Sequence, residues 1–269
     1  MIETEPTALF ISLIFIVIAV LFSMRKKLGL EKEILYSTGR AFVQLIAAGY
    51  ILQYIFDSQN RIAIILALLA MTIIAGYHAG QKGRDLPHLK VYVTIIIGIS
   101  SAVVLSLLLV LGVIDFSARF LIPIGSMVIG SSMISSGIAL NRIQQEFSNR
   151  QKQLLAALSL GASSRQAAAP LTRVSMKAGI IPTIDAMKIM GLVQLPGMMT
   201  GALIAGESPM IAVRYQIVVI FTVVSAVTFS SILLSMIIYR LYFTKTHQLK
   251  MPLSAPSRLP LSSYSSPRG

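Results

Sequence analysis

Long runs of apolar residues, separated by short polar segments, make up most of this chain. A transmembrane helix needs about 20 mainly apolar residues, and no segment here has the alternating pattern of a membrane β-strand. The pattern therefore predicts an all-α, polytopic membrane protein with about seven transmembrane helices. The expected spans are Thr7–Met24, Ile34–Phe56, Ile62–Tyr77, Val91–Ile114, Phe120–Leu140, Ile180–Ala205 and Val213–Tyr239, of which the third is short and the sixth is interrupted.

The composition supports this prediction and excludes several classes of protein. Hydrophobic residues make up 55% of the chain and charged residues 12%, whereas soluble domains carry about 25% charged residues. The chain has no cysteine, which excludes a disulfide framework and thiol chemistry. We interpret its net charge of +13 as a sign of membrane topology, because basic residues gather on the cytoplasmic side. The expected partner is a lipid bilayer and not nucleic acid.

The distribution of Lys and Arg predicts the orientation. Alternate assignment of the connections to two sides places 19 of the 23 basic residues, including those of the C-terminal tail, on one side. By the positive-inside rule, the N-terminus is expected outside and the C-terminus in the cytoplasm. Because Glu3 and Glu5 precede the first span without any basic residue, we expect this span to be retained and not cleaved as a signal peptide. The opposite side holds Arg61, Arg119 and Arg214.

The sequence also predicts how the chain divides into a transmembrane domain and a tail. Residues 1–250 are predicted to form one transmembrane domain, with a cytoplasmic loop at 141–177. Residues 251–269 are rich in Ser, Pro and Arg, and such a composition is typical of a disordered tail.

The cytoplasmic loop predicts a helix-turn-helix elbow, which we define as residues 147–173. Gly161 is expected to end its first, amphipathic helix. Ser163 and Gln166 have the spacing of a capping box, which predicts a second short helix, and Pro170 is expected to end that helix. On these residues alone, the elbow could also be an amphipathic hairpin on the membrane surface. The apolar positions at helical spacing are Phe147, Leu154, Leu155 and Leu158.

An acidic and a basic residue in the sixth span are candidates for a substrate pathway. Asp185 and Lys188 lie three residues apart, so they share one helical face and can neutralise each other within the membrane. The alternative is an ordinary ion pair near the cytoplasmic interface, with Lys188 extended towards water.

The same span contains a predicted helix break. Pro196 removes a backbone donor and Gly197 loosens the helix, as in the broken helices that line binding sites in transporters. Met198 and Met199 lie beside this break, and thioethers are ligands for Cu(I). Met is also a common apolar filler, and neither Cys nor His accompanies these two residues. The identity of any metal ligand therefore stays open.

The fifth span is rich in small residues. Ser126 with Gly130, and Ser131 with Ser135, are spaced four residues apart, so each pair lies on one helical face. Small residues at this spacing allow helices to approach closely. A packing interface is one interpretation, and a polar pathway lined by the hydroxyls of Ser131 and Ser135 is the other.

The elbow resembles the EAA loop of ABC-transporter permeases, which docks into a groove of the ATPase subunit. The residues that carry this resemblance, and that it assigns to ATPase coupling, are Leu155, Ala156, Ala157, Gly161, Ala162 and Ser163. Small side chains at the turn leave a surface that a partner can approach closely. Leu155 occupies the place of the glutamate of that loop, so a salt bridge from this position is not expected.

The resemblance covers roughly residues 28 to 250 and extends to the FetB family, the permeases of metal-export ABC transporters that are related to plant aluminium-tolerance permeases. It implies export of iron or another metal, location in a bacterial inner membrane, and a homodimer. Among the residues that carry it are Glu31-Lys32-Glu33-Ile34-Leu35, Gly39-Arg40-Ala41, Ile122-Pro123-Ile124, Leu160-Gly161-Ala162-Ser163, Pro182-Thr183-Ile184-Asp185, Leu195-Pro196-Gly197-Met198-Met199 and Tyr215-Gln216-Ile217.

The energy source is expected in another chain. The sequence has no GxxxxGK[ST] phosphate loop, so ATP and Mg²⁺ are expected in a partner ABC ATP-binding subunit, and this chain needs no cofactor of its own. We expect a permease and not an enzyme: the sequence Gly161-Ala162-Ser163-Ser164 looks like the serine turn of a rhomboid protease, but no later span contains a histidine to activate it. An ion-driven secondary transporter without an ATPase is the alternative.

Overall fold

The computed structural model describes residues 6–58, 60–83, 86, 88–244 and 248–249. In this part of the chain the regular secondary structure is α-helical, which confirms the all-α prediction. The predicted tail at 251–269 and the first five residues lie outside the described residues. The helices are α1 Pro6–Arg25, α2 Glu31–Ser58, α3 Arg61–Gly80, α4 Leu89–Val110, α5 Ala118–Asn149, α6 Gln151–Ser159, α7 Ser164–Ile189, α8 Gly197–Ile204 and α9 Pro209–Leu241.

The chain divides into two compact units, Met1–Asn60 and Arg61–Gly269. The first contains α1 and α2, which pack against each other. The hydroxyl of Ser23, near the end of α1, donates a 2.9 Å hydrogen bond to the carboxylate of Glu31, the first residue of α2. This bond fixes the short connection between the two helices.

Helix α5 is the central element of the second unit, because it contacts α3, α4, α6, α7 and α9. Its apolar face contributes to two buried clusters. One cluster includes Leu140 and Ile143 together with residues of α3, α4, α7 and α9. The other brings Val128 against Val219 and Ala226 of α9. The unit is therefore a helix bundle organised around α5.

Helices α5, α7 and α9 meet most closely at Gly179. A Cβ atom on Gly179 would lie 2.6 Å from the Ser231 hydroxyl, 3.0 Å from the Ser135 carbonyl oxygen and 3.1 Å from the Ala139 Cβ. The hydroxyls of Ser135 and Ser231 are hydrogen-bonded to each other at 2.6 Å. Small residues let these three backbones approach, so the packing interpretation of the Ser-rich fifth span is confirmed for Ser135.

The second helix of the elbow is much longer than the sequence predicts. Pro170 was expected to end it, but α7 continues through Pro170 and Pro182 to Ile189. A proline inside a helix costs about 3 kcal/mol. The burial of one long face of α7 against α5 and α9, including Leu171 and Ser175, offsets this cost. The expectation of a short helix was therefore wrong.

The sixth predicted span is likewise not one helix. Residues 180–189 are the end of α7, residues 190–196 are non-helical, and the rest belongs to α8, which has eight residues. Within the described residues, five helices are long and apolar enough to cross a membrane, namely α2, α3, α4, α5 and α9. A multi-pass membrane protein is therefore supported, while the count of seven spans and the orientation of the termini stay predictions.

Candidate functional site

The turn of the elbow is fixed by Gly161. Helix α6 ends at Ser159, and Gly161 has a φ of 89°, a left-handed conformation that favours glycine. The Gly161 amide donates to the Leu158 carbonyl and the Ala162 amide donates to the Ala157 carbonyl, both at 3.0 Å. This pair of hydrogen bonds forms a Schellman motif. The prediction that Gly161 ends the first helix is confirmed.

The second helix of the elbow begins with the predicted capping box. The Gln166 amide donates to the Ser163 hydroxyl at 3.3 Å, and the Ser163 amide donates to the Gln166 side-chain oxygen at 2.9 Å. These bonds satisfy amides that have no partner within the helix. Only two residues, Ala162 and Ser163, therefore separate the glycine turn from α7.

The elbow has one face buried in the bundle and one face exposed. Leu154 is buried, and Ala157 and Leu158 pack against the cluster that contains Leu140 and Ile143. Leu160, at the turn, is 90% exposed. The predicted coupling residues lie together: Leu155, Ala156 and Gly161 are exposed, and Ala157, Ala162 and Ser163 are half-buried.

The base of the elbow is anchored by contacts that the sequence analysis missed. Glu146, buried at the end of α5, forms ion pairs with Arg142 at 2.7 Å and with Arg150 at 2.9 Å. The spacing of four residues on each side of Glu146 is the signal that could have revealed them. Phe147 was expected in the first helix of the elbow but belongs to α5, where it stacks on Tyr242 with ring centroids 4.2 Å apart.

The burial of Tyr242 affects its ionisation. Removal from water raises the pKa of the Tyr242 hydroxyl far above its ordinary value, although a hydrogen bond with Gln144 acts in the opposite direction. The hydroxyl therefore stays neutral, and the aromatic contact under the elbow does not depend on pH in the physiological range.

Asp185 and Lys188 form the ion pair that their spacing predicts. The Lys188 Nζ atom donates to Asp185 Oδ1 at 2.7 Å. Both side chains are nonetheless largely exposed, at 58% for Asp185 and 68% for Lys188. The pair therefore lies on a face of α7 that neither α5 nor α9 covers.

The helix break lies between Met190 and Pro196, earlier than the sequence predicts. Gly191 has a φ of 81°, and its amide donates to the Gln194 carbonyl at 2.9 Å. Pro196 precedes the first residue of α8, Gly197. These two residues therefore start α8 instead of interrupting a continuous helix.

Gln216 of α9 is a buried polar side chain that the sequence analysis named in the family resemblance but not as a candidate site residue. It is 7% exposed, and its Nε2 atom donates to the Met190 sulfur at 3.8 Å. Its Oε1 atom accepts no hydrogen bond from a described residue. The sequence feature that could have pointed to this residue is a single amide side chain within an apolar span. The contact ties the end of α7 to α9 just before the break.

The two methionines of α8 have different surroundings. Met198 lines a pocket of about 160 Å³ together with Phe120, Tyr215 and Asp115. Met199 is half-buried. Among the described residues, no group of three His, Cys, Asp or Glu side chains is arranged to hold a metal ion.

The two serines proposed for a polar pathway have different surroundings. Ser135 is buried in the contact with Ser231 described above. Ser131 is half-buried, one turn of α5 closer to Ala118. That these serines and Asp185 line one pathway stays a prediction.

Comparison with known proteins identifies relatives along almost the whole chain. Residues 6–243 match the family described as "Uncharacterised protein family (UPF0014)". The Escherichia coli protein named "Probable iron export permease protein FetB" is 38% identical over 242 residues, which cover 90% of this chain and 93% of that protein. No solved structure gives a significant match.

Two further relatives come from a plant and from another bacterium. "Protein ALUMINUM SENSITIVE 3" of Arabidopsis thaliana is 36% identical over 239 residues, covering 89% of this chain and 88% of that protein. "UPF0014 membrane protein YjkA" of Bacillus subtilis is 37% identical over 243 residues, covering 90% of this chain and 97% of that protein. Because the match is nearly full-length in each case, the chain belongs to the UPF0014 family, the group of membrane proteins that includes FetB.

Proposed function

We propose that this chain is the membrane-spanning permease subunit of an ABC transporter, and that a separate ATPase subunit docks on the elbow. Membership of the family that contains the E. coli iron export permease supports a transport function. The elbow supports the coupling to an ATPase, since its rigid turn holds the exposed apolar side chain of Leu160 on the predicted cytoplasmic side. The cargo is iron or another metal ion or metal complex, and the direction is export.

The geometry at Leu160 is the observation that carries this proposal. Leu160 is 90% exposed. The turn that carries it is held in place by the two Schellman hydrogen bonds, by the left-handed φ of Gly161 and by the two hydrogen bonds of the capping box. Exposed apolar side chains on rigid supports are typical anchors of protein interfaces.

The partner subunit supplies ATP hydrolysis. This sequence contains no GxxxxGK[ST] loop, so ATP and Mg²⁺ bind in the ATPase subunit. An ABC transporter has two ATP sites and two membrane halves, and a homodimer of this chain provides both halves. The chain itself then carries no catalytic residue.

A pair of leucines provides a matched test of the docking site. Leu160 and Leu111 each end a helix and each precede a glycine with positive φ, Gly161 and Gly112. Leu111 lies on the predicted outer side, so an ATPase in the cytoplasm cannot reach it. Leu160→Glu is expected to reduce the ATPase activity that co-purifies with the tagged chain by at least about tenfold, whereas Leu111→Glu leaves this activity unchanged.

A second variant removes the turn itself. Gly161→Arg places a bulky side chain in a left-handed conformation, and it is expected to abolish co-purification of the ATPase while the chain remains inserted in the membrane. If the wild-type chain transports without any co-purifying ATP hydrolysis, the transporter is ion-driven and the proposal is wrong. Equal ATPase recovery with Leu160→Glu and Leu111→Glu would mean that the elbow is not the docking site.

A further inference from the structure

One face of α7 is exposed along its length and carries charged residues. The opposite face, including Thr172, Ser175 and Gly179, is buried against α5 and α9. The exposed charged and isoleucine positions recur after three or four residues, with Ile184 and Asp185 adjacent, which places them on one broad face of the helix. We call this face the α7 stripe; it consists of Arg173, Lys177, Ile181, Ile184, Asp185 and Lys188.

The contacts of α7 with α9 place Asp185 and Lys188, in the last turns of α7, along α9. Asp185 and Lys188 come after Gly179, which touches Ser231 of α9, and before Met190, which contacts Gln216 of α9. The segment of α9 between these two contacts belongs to a helix that contains an 18-residue stretch of mean hydropathy 2.5 and is apolar enough to span a membrane. The ion pair is therefore beside the apolar part of α9.

Lipid is a poor environment for this ion pair. A charged side chain at the centre of a helix in a bilayer costs about 2.5–3.5 kcal/mol on insertion scales, and charged residues in membranes face protein or water. The 2.7 Å contact neutralises the pair, but more than half of each side chain stays exposed. Another protein surface or a water-filled pathway must therefore cover the pair.

The chemistry of the stripe points to a second copy of the same chain. Around a two-fold axis parallel to the helix, the same patch of each copy faces the other. A patch with one carboxylate and one ammonium group is complementary to itself, because each Asp185 can pair with the Lys188 of either copy. Ile181 and Ile184, both exposed, supply apolar contact next to the charges.

We propose that two copies of this chain meet along the α7 stripe and close one shared site, formed by Asp185 and Lys188 of each copy, within the membrane. This proposal rests on the proposed function, because the shared site lies on the transport pathway between the two halves of the transporter. Neither copy contains the complete site, since each contributes one carboxylate and one ammonium group.

The four charges select the chemical class of the ligand. A bare cation would pair with the two carboxylates and leave both Lys188 groups without a partner, and an anion would do the reverse; unpaired charges are costly in a membrane. Two carboxylates also cannot fill the six or more oxygen positions that a hard cation needs. The ligand that satisfies the site is a multivalent metal ion that is still bound to a small carboxylate chelator.

Cross-linking tests the interface without any requirement for transport. Because the chain has no cysteine, Ile181→Cys and Ile184→Cys each introduce a single thiol into the stripe. With copper phenanthroline in native membranes, at least one of them is expected to form a disulfide-linked dimer. Ile217→Cys is the control, because Ile217 on α9 is 45% exposed, similar to Ile184 at 40%, but lies on another face. This control is expected to remain monomeric.

Two negative results of the cross-linking experiment would each reject the proposal. If neither stripe variant forms a dimer and a water-soluble maleimide labels both, the stripe lines a cleft within one copy and the proposal is wrong. If neither is cross-linked or labelled, the stripe faces lipid and the proposal is also wrong. Failure of the docking test at Leu160, with cross-linking intact, would reject the elbow as the docking site and leave the interface between the two copies in place.

A charge exchange tests whether the two ion pairs share one site. Asp185→Lys and Lys188→Asp chains, carrying different tags, each form homodimers with four like charges, whereas the mixed dimer has two of each sign. Like charges across an interface cost several kcal/mol, so co-expression should enrich the mixed dimer at least about tenfold. The double variant Asp185→Lys with Lys188→Asp retains the pair and serves as the control for folding. Random pairing of the two tags would overturn the shared site.

The ligand class has its own measurement. ATPase activity of the reconstituted complex is expected to rise with iron(III) citrate and to stay at its basal level with ferrous iron alone or with citrate alone. The reverse order, with the bare ion as the better stimulant, would reject the chelate as the ligand while leaving the cross-linking result in place.

Discussion

Helices α7 and α9 pack against each other, and each leaves one face exposed, but the two faces differ in chemistry. The α7 stripe carries four charged residues. The exposed row of α9 carries none over the same depth, and the hydroxyl of its serine donates to the Phe221 carbonyl at 2.8 Å. We call this row the α9 stripe; it consists of Ile217, Phe221, Ser225, Phe229, Ile232 and Met236.

The difference indicates what covers each face. Hydrocarbon is compatible with the α9 stripe, because its side chains are apolar and its one hydroxyl is satisfied within the helix. The same hydrocarbon would be costly for the α7 stripe. Exposure alone does not distinguish the two faces, since both contain large side chains that are about half exposed. The charge that each face carries separates a surface suited to lipid from a surface suited to protein or substrate.

The largest expected effect comes from placing a charge on each stripe. Phe221→Lys is expected to cost about 2.5–3.5 kcal/mol of stability, because the ammonium group enters hydrocarbon. Ile184→Lys is expected to cost less, because its face is shielded from lipid, although the added cation repels Lys188 across the proposed interface. Thermal unfolding in lipid nanodiscs measures both variants. Equal losses of stability in the two variants would show that the two faces have the same environment.

The second effect concerns the buried side of the same helices. Gly179→Val places a branched side chain against Ser231 and the Ser135 carbonyl, and the carbonyl cannot move away without distorting α5. Overpacking of this kind costs about 1–3 kcal/mol. Gly130→Val on α5 is the control, because a Cβ at Gly130 meets no atom within 4 Å. A similar melting temperature for the two variants would contradict the close approach at Gly179.

The third effect separates a packing role of the ion pair from a transport role. Asp185→Asn leaves Lys188 without its carboxylate, and the loss of stability that this unpaired charge causes is expected to be recovered when Lys188→Met is added. Metal-stimulated ATPase activity is expected to be lost and not to return when Lys188→Met is added. Full transport by the stable double variant would remove Asp185 from the pathway.

The smallest effect is expected from the serines. Ser135→Ala removes one buried hydrogen bond with Ser231 and should cost about 1 kcal/mol. Ser225→Ala on the α9 stripe removes a bond to its own helix backbone and should be close to neutral. Both values come from thermal unfolding in nanodiscs. A larger loss at Ser225 than at Ser135 would place the α9 stripe against protein.

Local features of the chain were predictable from the sequence. The glycine turn at Gly161 and the capping box of Ser163 and Gln166 depend on hydrogen bonds that span at most five residues. The pairing of Asp185 with Lys188 depends on helical spacing alone. The helical class followed from apolar length, because a backbone in lipid must satisfy its own hydrogen bonds.

Features that depend on distant contacts were not predictable. Pro170 is a strong local signal for a helix end, yet α7 passes through it, because the burial of its neighbours against α5 and α9 outweighs the lost hydrogen bond. The break after Ile189 and the contact between Gln216 and Met190 depend likewise on two helices that are distant in sequence.

The sequence by itself determined which residues are charged and that Asp185 and Lys188 share one helical face. Only the tertiary structure decided that this face is the exposed one, because burial depends on which face α5 and α9 cover. The same packing sets the depth of Asp185, through the contacts of Gly179 and Met190. The helical period of a sequence sets the angle of each residue around the helix axis. The elements that pack against the helix then determine which of these residues meet lipid, protein or substrate.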